Sequence, residues 1–308
     1  MKALITGVSG FVGQHLQQYL SLQSIPVYGT SRIRRKEKNW IVLDLLSQEE
    51  IVSLLKDIQP SHIFHLAGIS NVKYSWAERR EVMEANIITT INLLEAVKKV
   101  NKGIRVITIG SSEEYGRTVK IKVSENDLLN PISPYGISKT AVSMLARQYY
   151  TADNMNVIHV RPFNHIGPGQ RLGFVTSDFA HQIALINKSK TKQRIMKIGN
   201  LDTIRDFTDV RDIVAAYYEI AVNGNAGQIY NVCSGKGTEI KEILNILLDF
   251  SKTPIEIVVD DSKMRPSEIV TLIGCNEKLL KETKWKPLIS IEKSLHDIYQ
   301  FWRAEVLK

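Results

Sequence analysis

The stretch that decides the fold is TGVSGFVG, at residues 6–13. It follows a short apolar run, Ala3–Thr6, and opens an amphipathic helical pattern over Phe11–Leu22. In this G-x-x-G-x-x-G spacing, Gly7 permits a tight turn, Gly10 lets the backbone approach a pyrophosphate, and Gly13 lets helix and strand pack closely. The amide groups and the dipole at the start of such a helix favour phosphate. Because a strand and a helix flank the glycines, we predict a dinucleotide-binding turn rather than a ligand-free one.

Apolar runs typical of strands alternate with helical patterns through the first half of the chain. The predicted strands are Ala3–Thr6, Val27–Thr30, Ile41–Leu43, His62–Leu66, Arg105–Ile109 and Val157–Val160. The predicted helices are Phe11–Leu22, Gln48–Ile58, Ala77–Val100 and Ser138–Tyr150. Such alternation favours parallel strands with crossover helices on both faces. We therefore predict an α/β fold with a Rossmann-type, doubly wound parallel sheet.

The pattern of predicted elements changes after Arg161, where loops are longer and short strands separate the later helices. These helices are predicted at Val175–Lys188, Val210–Val222, Glu239–Phe250 and Ile291–Trp302. We predict a dinucleotide-binding domain over residues 1–160 and a mainly substrate-binding domain over residues 161–308. The second is smaller and interleaved with the sheet, since no flexible linker precedes it.

The composition is that of an ordinary globular protein: 308 residues, 44% hydrophobic and 23% charged. Disordered and fibrous classes are therefore excluded. The formal net charge of +8 favours anionic partners, which include nucleotides, phosphates and nucleic acid. Cys233 and Cys275 stand in no metal-binding or redox spacing, and no run of ~18 apolar residues occurs. We predict a cytoplasmic protein with reduced thiols, no metal site and no membrane contact.

The segment after the second predicted strand bears on the choice of cofactor. Arg32 precedes the basic run RRK at residues 34–36, and no acid follows until Glu37. An acid there suits the ribose 2′-hydroxyl of NAD, whereas a guanidinium suits a 2′-phosphate. We predict that Arg32 binds the 2′-phosphate of NADP(H), although use of NAD(H) is also possible, and the alternative is a solvated basic loop without a ligand. Aromatic residues, which would favour nucleic-acid binding, do not interleave with these arginines. Asp44 and Leu45, after the third strand, are candidates to flank the adenine, although a plain loop aspartate fits the former too.

The pair Tyr135 and Lys139 points to redox chemistry. If Tyr135 lies in the first turn of a helix, the spacing of four places both side chains on one face. An ammonium beside a phenol is expected to lower a pKa that starts near ~10, so the tyrosine can exchange a proton with a substrate oxygen. Ser111, just after the strand Arg105–Ile109, is placed to hydrogen-bond the same oxygen.

Further motifs extend this picture along the chain. They are HLAG at residues 65–68, NPISPYG at 130–136, RPFNHIGPGQ at 161–170, GNLD at 199–202 followed by Arg205-Asp206, and RPSE at 265–268. Together with Tyr-x-x-x-Lys and the glycine turn, they make the chain resemble the extended short-chain dehydrogenase/reductases that act on nucleotide sugars. Within these, the chain looks most like the GDP-mannose 4,6-dehydratase branch. The resemblance covers nearly the whole chain.

The resemblance implies a catalytic set of Ser111, Tyr135 and Lys139. The implied cofactor-binding residues are Gly7, Gly10, Phe11, Val12, Gly13, Arg32, Asp44, Leu45, Leu66, Ala67, Gly68, Tyr135, Lys139 and His165. The implied substrate-binding residues are Ser111, Ser112, Asn164, Val175, Asn200, Arg205, Arg265 and Glu268. Of these, Asn164 would touch the phosphates and the two arginines would clamp the diphosphate. His165 would pack against the nicotinamide, with a structural role as the alternative.

The implied activity is NAD(P)H-dependent reduction of the C4 ketone of GDP-4-keto-6-deoxy-D-mannose to GDP-D-rhamnose, or to GDP-6-deoxy-D-talose if hydride reaches the other face. The resemblance also implies a homodimer that pairs through the long helices Ala77–Val100 and Ser138–Tyr150. One residue favours an alternative: Glu113, two positions after Ser111, is where dehydratases carry an additional acid/base. Against a dehydratase, the chain is short, GFVG stands at residues 10–13 in place of GQDG, and IGPGQ at 166–170 replaces an arginine-rich segment. Another nucleotide-sugar epimerase or reductase, and a cofactor-sensing interaction protein on the same fold, also stay open.

Overall fold

The computed structural model describes residues 1–34, 37, 39–189, 194–260 and 269–308. The strands are β1 (Ala3–Thr6), β2 (Val27–Ser31), β3 (Trp40–Val42), β4 (His62–His65), β5 (Arg105–Ile109), β6 (Lys122–Val123), β7 (Val157–Pro162), β8 (Asn164–Ile166), β9 (Ile195–Ile198), β10 (Ile204–Arg205), β11 (Phe207–Asp209), β12 (Ile229–Val232), β13 (Thr238–Glu239), β14 (Glu256–Val259) and β15 (Thr271–Gly274). The helices are α1 (Phe11–Leu22), α2 (Gln48–Ile58), α3 (Val72–Ala77), α4 (Arg79–Met83), α5 (Thr89–Val100), α6 (Pro134–Asp153), α7 (Val175–Lys188), α8 (Val210–Asn223), α9 (Ile240–Leu248), α10 (Glu277–Glu282) and α11 (Ile291–Leu307).

The main sheet is parallel, with strand order β12-β7-β5-β4-β1-β2-β3. This confirms the predicted doubly wound sheet. The chain runs outward from β1 to β3 and then returns to β4 on the other side of β1, which creates a crevice at the carboxyl ends of these two strands. The edge strand β12 comes from the second half of the chain, so both halves build one sheet. The domain boundary near residue 160 stays a prediction.

Helices cover both faces of this sheet. Leu16 and Leu20 of α1 pack with Ile213 and Tyr217 of α8 on one face. Ile51 and Leu55 of α2, Leu93 and Leu94 of α5, and Ala146 and Tyr149 of α6 form the core on the other. Among the described residues, no helix is long and apolar enough to cross a membrane.

One helix prediction is wrong. The pattern over Ala77–Val100 is divided into α4, a π-helical turn at Glu84–Ile88, and α5. The π-helical turn carries Asn86, whose buried side chain bonds to residues outside its own helix. Periodicity alone does not show such a local widening, because it depends on contacts with distant segments.

Smaller layers accompany the main sheet, built mainly from the second half of the chain with β6 from the first. Strand β8 pairs with β11, β9 pairs with β14, and β13-β10-β15-β6 form a four-stranded sheet. Helices α7, α9 and α11 pack around a separate core. The loop after β8 carries Pro168, whose carbonyl contacts His15 of α1. These layers therefore stand over the crevice.

Candidate active site

The glycine turn between β1 and α1 leaves no room for side chains. Gly7 has φ +71°, and a Cβ there would lie 2.8 Å from the amide nitrogen of Ala67. A Cβ on Gly13 would lie 2.5 Å from the carbonyl oxygen of Gly7 and 2.7 Å from that of Val8. The start of α1, within the described structure, has neither a side-chain cap at Gly10 nor an acid in its first turn. Its amide groups are therefore available to an anion.

Phe11 and His165 meet at this end of α1. Their rings stack with centroids 6.2 Å apart and an interplanar angle of 11°. His165 Nδ1 lies 3.1 Å from the carbonyl oxygen of Phe163, and burial lowers the pKa of His165, so its imidazole is neutral at pH 7. The structure thus brings both residues to one wall of the crevice. Contact of His165 with a nicotinamide stays a prediction.

The segment Leu66–Gly68 lines the crevice at the end of β4. The amide of Ala67 donates to Thr6 Oγ1 at 3.3 Å, which ties this segment to β1. Gly68 has φ +148°, and a Cβ there would lie 3.7 Å from Lys139 Nζ. The predicted cofactor segment and the predicted catalytic lysine are therefore neighbours.

Asn86 is a site residue that sequence reasoning missed. Its Oδ1 accepts from the amide of Ile69 at 2.8 Å, and its Nδ2 donates to the carbonyl oxygen of Ile69 at 3.1 Å and to Ser138 Oγ at 2.9 Å. It joins the segment after β4 to the helix that carries the redox pair. The available signal was a polar residue before the apolar pair Ile87-Ile88 in a helical pattern.

Tyr135 and Lys139 lie on one face of α6, as predicted. The helix begins at Pro134, and Ser133 caps it by accepting from the amide of Gly136 at 3.0 Å. Lys139 Nζ lies 5.9 Å from the centroid of the Tyr135 ring and donates to the carbonyl oxygen of Ile109 at 2.8 Å. Both side chains are less than a tenth exposed.

The expected fall in the pKa of Tyr135 is wrong for this structure. Burial raises the pKa of its phenol, and a hydrogen bond from Ser111 opposes that rise only partly. Burial also lowers the pKa of Lys139 to about 8, against an opposing effect of the Glu114 carboxylate. Desolvation is therefore the largest cause of both shifts. At neutral pH Tyr135 is a protonated phenol, ready to donate.

Ser111 caps a short 3₁₀ turn, Ser112–Glu114, at the end of β5. Its hydroxyl oxygen accepts from the amide of Glu113 at 3.2 Å, which leaves the hydroxyl proton to be donated. The neighbouring Glu113 is half-buried, and its carboxylate accepts from Ser133 Oγ at 3.5 Å. Its charge contributes to the raised pKa of Tyr135. The structure thus brings Glu113 beside the catalytic set.

The predicted adenosine contacts lie at the ends of β2 and β3. Arg32 is exposed directly after β2, and Thr30 of β2 accepts from the amide of Gly7 at 3.0 Å. Asp44 Oδ1 accepts from the amide of Leu46 at 2.9 Å, which forms a local turn. The Leu45 side chain packs against the core, and a contact of this residue with the adenine stays a prediction. A groove of about 600 Å³ runs alongside α1. It is lined by Ser9, Gln14, His15, Gln17, Gln18, Ser21, Glu37 and Trp40.

The predicted substrate contacts are only partly brought together. Asn164 on β8 is exposed and pairs in register with Phe207, two residues after Arg205. The Arg205 guanidinium donates to the carbonyl oxygens of Ile204 and Val270 at 2.9 and 3.2 Å. The remaining predicted contacts are Val175, the first residue of α7; Asn200, which accepts from the amide of Asp202; and Ser112, which is 4% exposed. Arg265 and Glu268 lie outside the described residues.

Comparison with known proteins agrees with this geometry. A family model for GDP-mannose 4,6 dehydratase matches residues 4–298. The chain is 34% identical to the GDP-6-deoxy-D-mannose reductase of Pseudomonas aeruginosa, covering 99% of this chain and 98% of that one. It is 28% identical to the GDP-6-deoxy-D-talose 4-dehydrogenase of Aggregatibacter actinomycetemcomitans, over 91% and 90% of the two chains. The solved structure of RMD from Pseudomonas aeruginosa complexed with NADPH matches with a TM-score of 0.88 at 33% identity, covering 99% of this chain and 100% of that one.

Proposed function

The chain belongs to the GDP-mannose 4,6-dehydratase family, and we propose that it reduces the C4 ketone of GDP-4-keto-6-deoxy-D-mannose to GDP-D-rhamnose with NADPH. The observation that carries this proposal is the buried, protonated phenol of Tyr135, hydrogen-bonded by Ser111 at the carboxyl end of β5. A ketone reduction needs such a proton donor. The relative at 34% identity, by its name a GDP-6-deoxy-D-mannose reductase, supports the same substrate class.

The glycine turn fits a dinucleotide. Cβ atoms on Gly7 or Gly13 would meet backbone atoms within 3 Å, so this turn is shaped for close backbone approach, and the amide groups that open α1 suit a pyrophosphate. Arg32 would hold a 2′-phosphate and the Leu66–Gly68 segment would border the nicotinamide side. When bound, the cofactor supplies a hydride to the ketone carbon.

The residues of the chain then complete the reduction. Ser111 and Tyr135 hydrogen-bond the ketone oxygen and stabilise the negative charge that grows on it as the carbon gains hydride. Tyr135 donates its proton to that oxygen. The Lys139 ammonium, held by the carbonyl oxygen of Ile109, stabilises the phenolate that remains. With a pKa of about 8, Lys139 carries this charge at pH 7.

Glu113 supports a second candidate function, GDP-mannose 4,6-dehydration. That reaction removes the proton beside a transient ketone and expels water, so it needs an acid/base besides Tyr135. The Glu113 carboxylate contacts Ser133, the residue that caps α6 two positions before Tyr135. Among the described residues of the site, Glu113 is therefore the acid/base candidate at the position where dehydratases carry theirs.

Two incubations separate these functions. The first contains GDP-4-keto-6-deoxy-D-mannose and NADPH; we expect NADPH oxidation and a 6-deoxy sugar, whose C4 configuration is assigned by NMR as D-rhamnose or 6-deoxy-D-talose. The second contains GDP-mannose and NADP⁺. Consumption of GDP-mannose without net change in the cofactor, together with an inactive first incubation, would overturn the reductase assignment. Tyr135→Phe serves as the control and should lower turnover by about two to four orders of magnitude while the cofactor still binds.

We propose a homodimer that pairs through α6 and the helical segment from α4 to α5, in which Ile88 ends the π-helical turn. The apolar side chains Ile88, Ile137 and Met144 are 43%, 48% and 63% exposed, and the last two lie two helical turns apart on α6. Light scattering on the wild type and on Met144→Glu tests this pairing: a dimer that becomes monomeric in the variant is expected, and a wild-type monomer refutes it. The cytoplasmic location stays a prediction.

A further inference from the structure

A buried ionic cluster lies directly beneath Ser111. Glu114 is 0% exposed, and its Oε1 accepts from the amide of Ser111 at 2.9 Å and lies 3.1 Å from His159 Nε2. Its Oε2 accepts from Arg161 Nε at 2.8 Å. Burial opposes ionisation of Glu114, but the hydrogen bonds from His159 and the Ser111 amide and the charge of Arg161 hold its pKa below the ordinary value. Glu114 is therefore a charged hydrogen-bond acceptor.

The cluster is held from several elements. The Arg161 guanidinium also donates to Tyr115 Oη at 3.2 Å and to Ser143 Oγ of α6 at 3.1 Å. His159 Nδ1 lies 2.9 Å from Thr108 Oγ1 of β5. The direct partners Arg161 and His159 determine where the Glu114 carboxylate sits. Residue 110 must be glycine to leave room for it, because a Cβ there would collide with both Glu114 and His159.

Glu114 fixes the direction of the Ser111 hydroxyl. By accepting from the amide of Ser111, it holds that residue in its extended conformation, with φ −165° and ψ 153°. In this conformation Ser111 Oγ accepts from the amide of Glu113, and its hydroxyl proton is left to be donated to Tyr135 or to a bound ketone oxygen. Without the carboxylate, the backbone of Ser111 loses the acceptor that orients it.

We infer that Glu114 is a positioning residue for the ketone reduction, acting through Ser111 and not touching the substrate. This inference rests on the proposed function. The cluster then affects catalysis as well as stability. Ser111 donates to the ketone oxygen only while the Glu114 carboxylate holds the backbone amide of Ser111. The effect of losing Glu114 should therefore disappear once the hydroxyl of Ser111 is gone.

A double-mutant cycle tests this coupling. The side-chain amide in Glu114→Gln has a single oxygen, which the Arg161 guanidinium attracts, so its NH2 group faces the amide of Ser111 and the acceptor is lost. We expect this variant to lower kcat about tenfold to a hundredfold, with the KM for NADPH changed less than about twofold. In the Ser111→Ala background, the same substitution should lower kcat by no more than about twofold further. Effects that multiply would show that Glu114 acts independently of Ser111 and would overturn the inference, as would an unchanged kcat in Glu114→Gln.

Two further variants separate positioning from stability. Tyr115→Phe removes a hydroxyl from the far end of the cluster and should lower Tm while kcat stays within about twofold. Glu114→Asp keeps a charge for Arg161 but draws the carboxylate back from Ser111 by about 1.5 Å, one C–C bond. It should lower kcat as Glu114→Gln does, which covers the case in which the glutamine variant does not fold. A wild-type kcat in Glu114→Asp contradicts the inference.

A readout without substrate keeps this inference distinct from the proposed function. If the wild type does not reduce the keto sugar, the proposed function fails by itself. Amide hydrogen exchange over residues 110–116 in the full chain then tests the role of Glu114. We expect faster exchange in Glu114→Gln than in Tyr115→Phe, and equal protection in the two variants would refute the positioning role.

Discussion

The contact between α1 and the glycine turn allows one substitution to be worked out in advance. In Gly13→Ala, the new methyl group would lie 2.5 Å from the carbonyl oxygen of Gly7, 2.7 Å from that of Val8 and 2.8 Å from Val8 Cα. All three are backbone atoms, so no side chain can rotate away. The start of α1 must instead move outward from the turn.

Two opposing terms set the size of the effect. Replacing glycine by alanine inside a helix gains up to about 1 kcal/mol. Overpacking a close contact costs about 1–3 kcal/mol, so with the full helix gain we expect a net loss of stability of about 0–2 kcal/mol and a Tm at or a few degrees below that of the wild type. Displaced amide groups also lose hydrogen bonds to the pyrophosphate. Each charge-assisted bond contributes about 1.5–3 kcal/mol, so the Kd for NADPH should rise at least about tenfold.

Calorimetric titration with NADPH and thermal unfolding measure both quantities. Gly103→Ala is the matched control, because a Cβ there would approach only the Asn101 side chain, with its Oδ1 at 3.1 Å. If Gly13→Ala bound NADPH as tightly as Gly103→Ala did, the glycine turn would not be the pyrophosphate site. If its Tm rose above that of the wild type, as the helix gain alone would make it, the close packing of α1 on the turn would be refuted.

Three further outcomes test the remaining assignments. Arg32→Ala should lower the kcat/KM ratio of NADPH over NADH at least about tenfold if the guanidinium binds the 2′-phosphate, and an unchanged ratio would exclude it. The kcat/KM for ketone reduction should fall as pH rises through about 8, because Lys139 is charged below that pKa and neutral above it. The titratable groups near this ammonium are Glu114, which raises the pKa of Lys139, and His65. A flat alkaline profile would contradict the role of Lys139. Glu113→Gln should leave ketone reduction within about tenfold of wild type and abolish any dehydration of GDP-mannose, since only the latter needs a second acid/base; NMR of both reactions checks this, and a loss as large as that of Tyr135→Phe would refute it.

Local patterns predicted much of this fold. Phe11–Leu22, Gln48–Ile58 and Val175–Lys188 are helices with the predicted bounds, because each carries its own amphipathic period. The glycine turn was readable because strand, turn and helix are contiguous in sequence. The π-helical turn around Asn86 was not readable, because the bonds of Asn86 to Ile69 and Ser138 depend on how distant segments pack.

In the candidate site, too, local features could be predicted from the sequence and long-range ones could not. The spacing of Tyr135 and Lys139 is local, and their common face was predicted correctly. The direction of the pKa shift of Tyr135 was not, because its burial is set by packing around the site rather than by Lys139. Glu114 and Arg161 are 47 residues apart in the chain, and they meet because β5 lies beside β7 with Ile109 opposite Val160.

The adjacent residues Glu113 and Glu114 show why sequence position alone does not assign a role. In a 3₁₀ turn successive side chains point about 120° apart, so Glu114 turns beneath Ser111 while Glu113 turns toward Ser133. The charge of the inward Glu114 carboxylate is balanced by Arg161, and this carboxylate positions the hydrogen-bond donor Ser111. The outward one raises the pKa of Tyr135 by less than burial does, and it stands where a dehydratase carries its base. Two adjacent carboxylates of one turn therefore serve different parts of the site, and it is Glu114 that holds the backbone amide of Ser111.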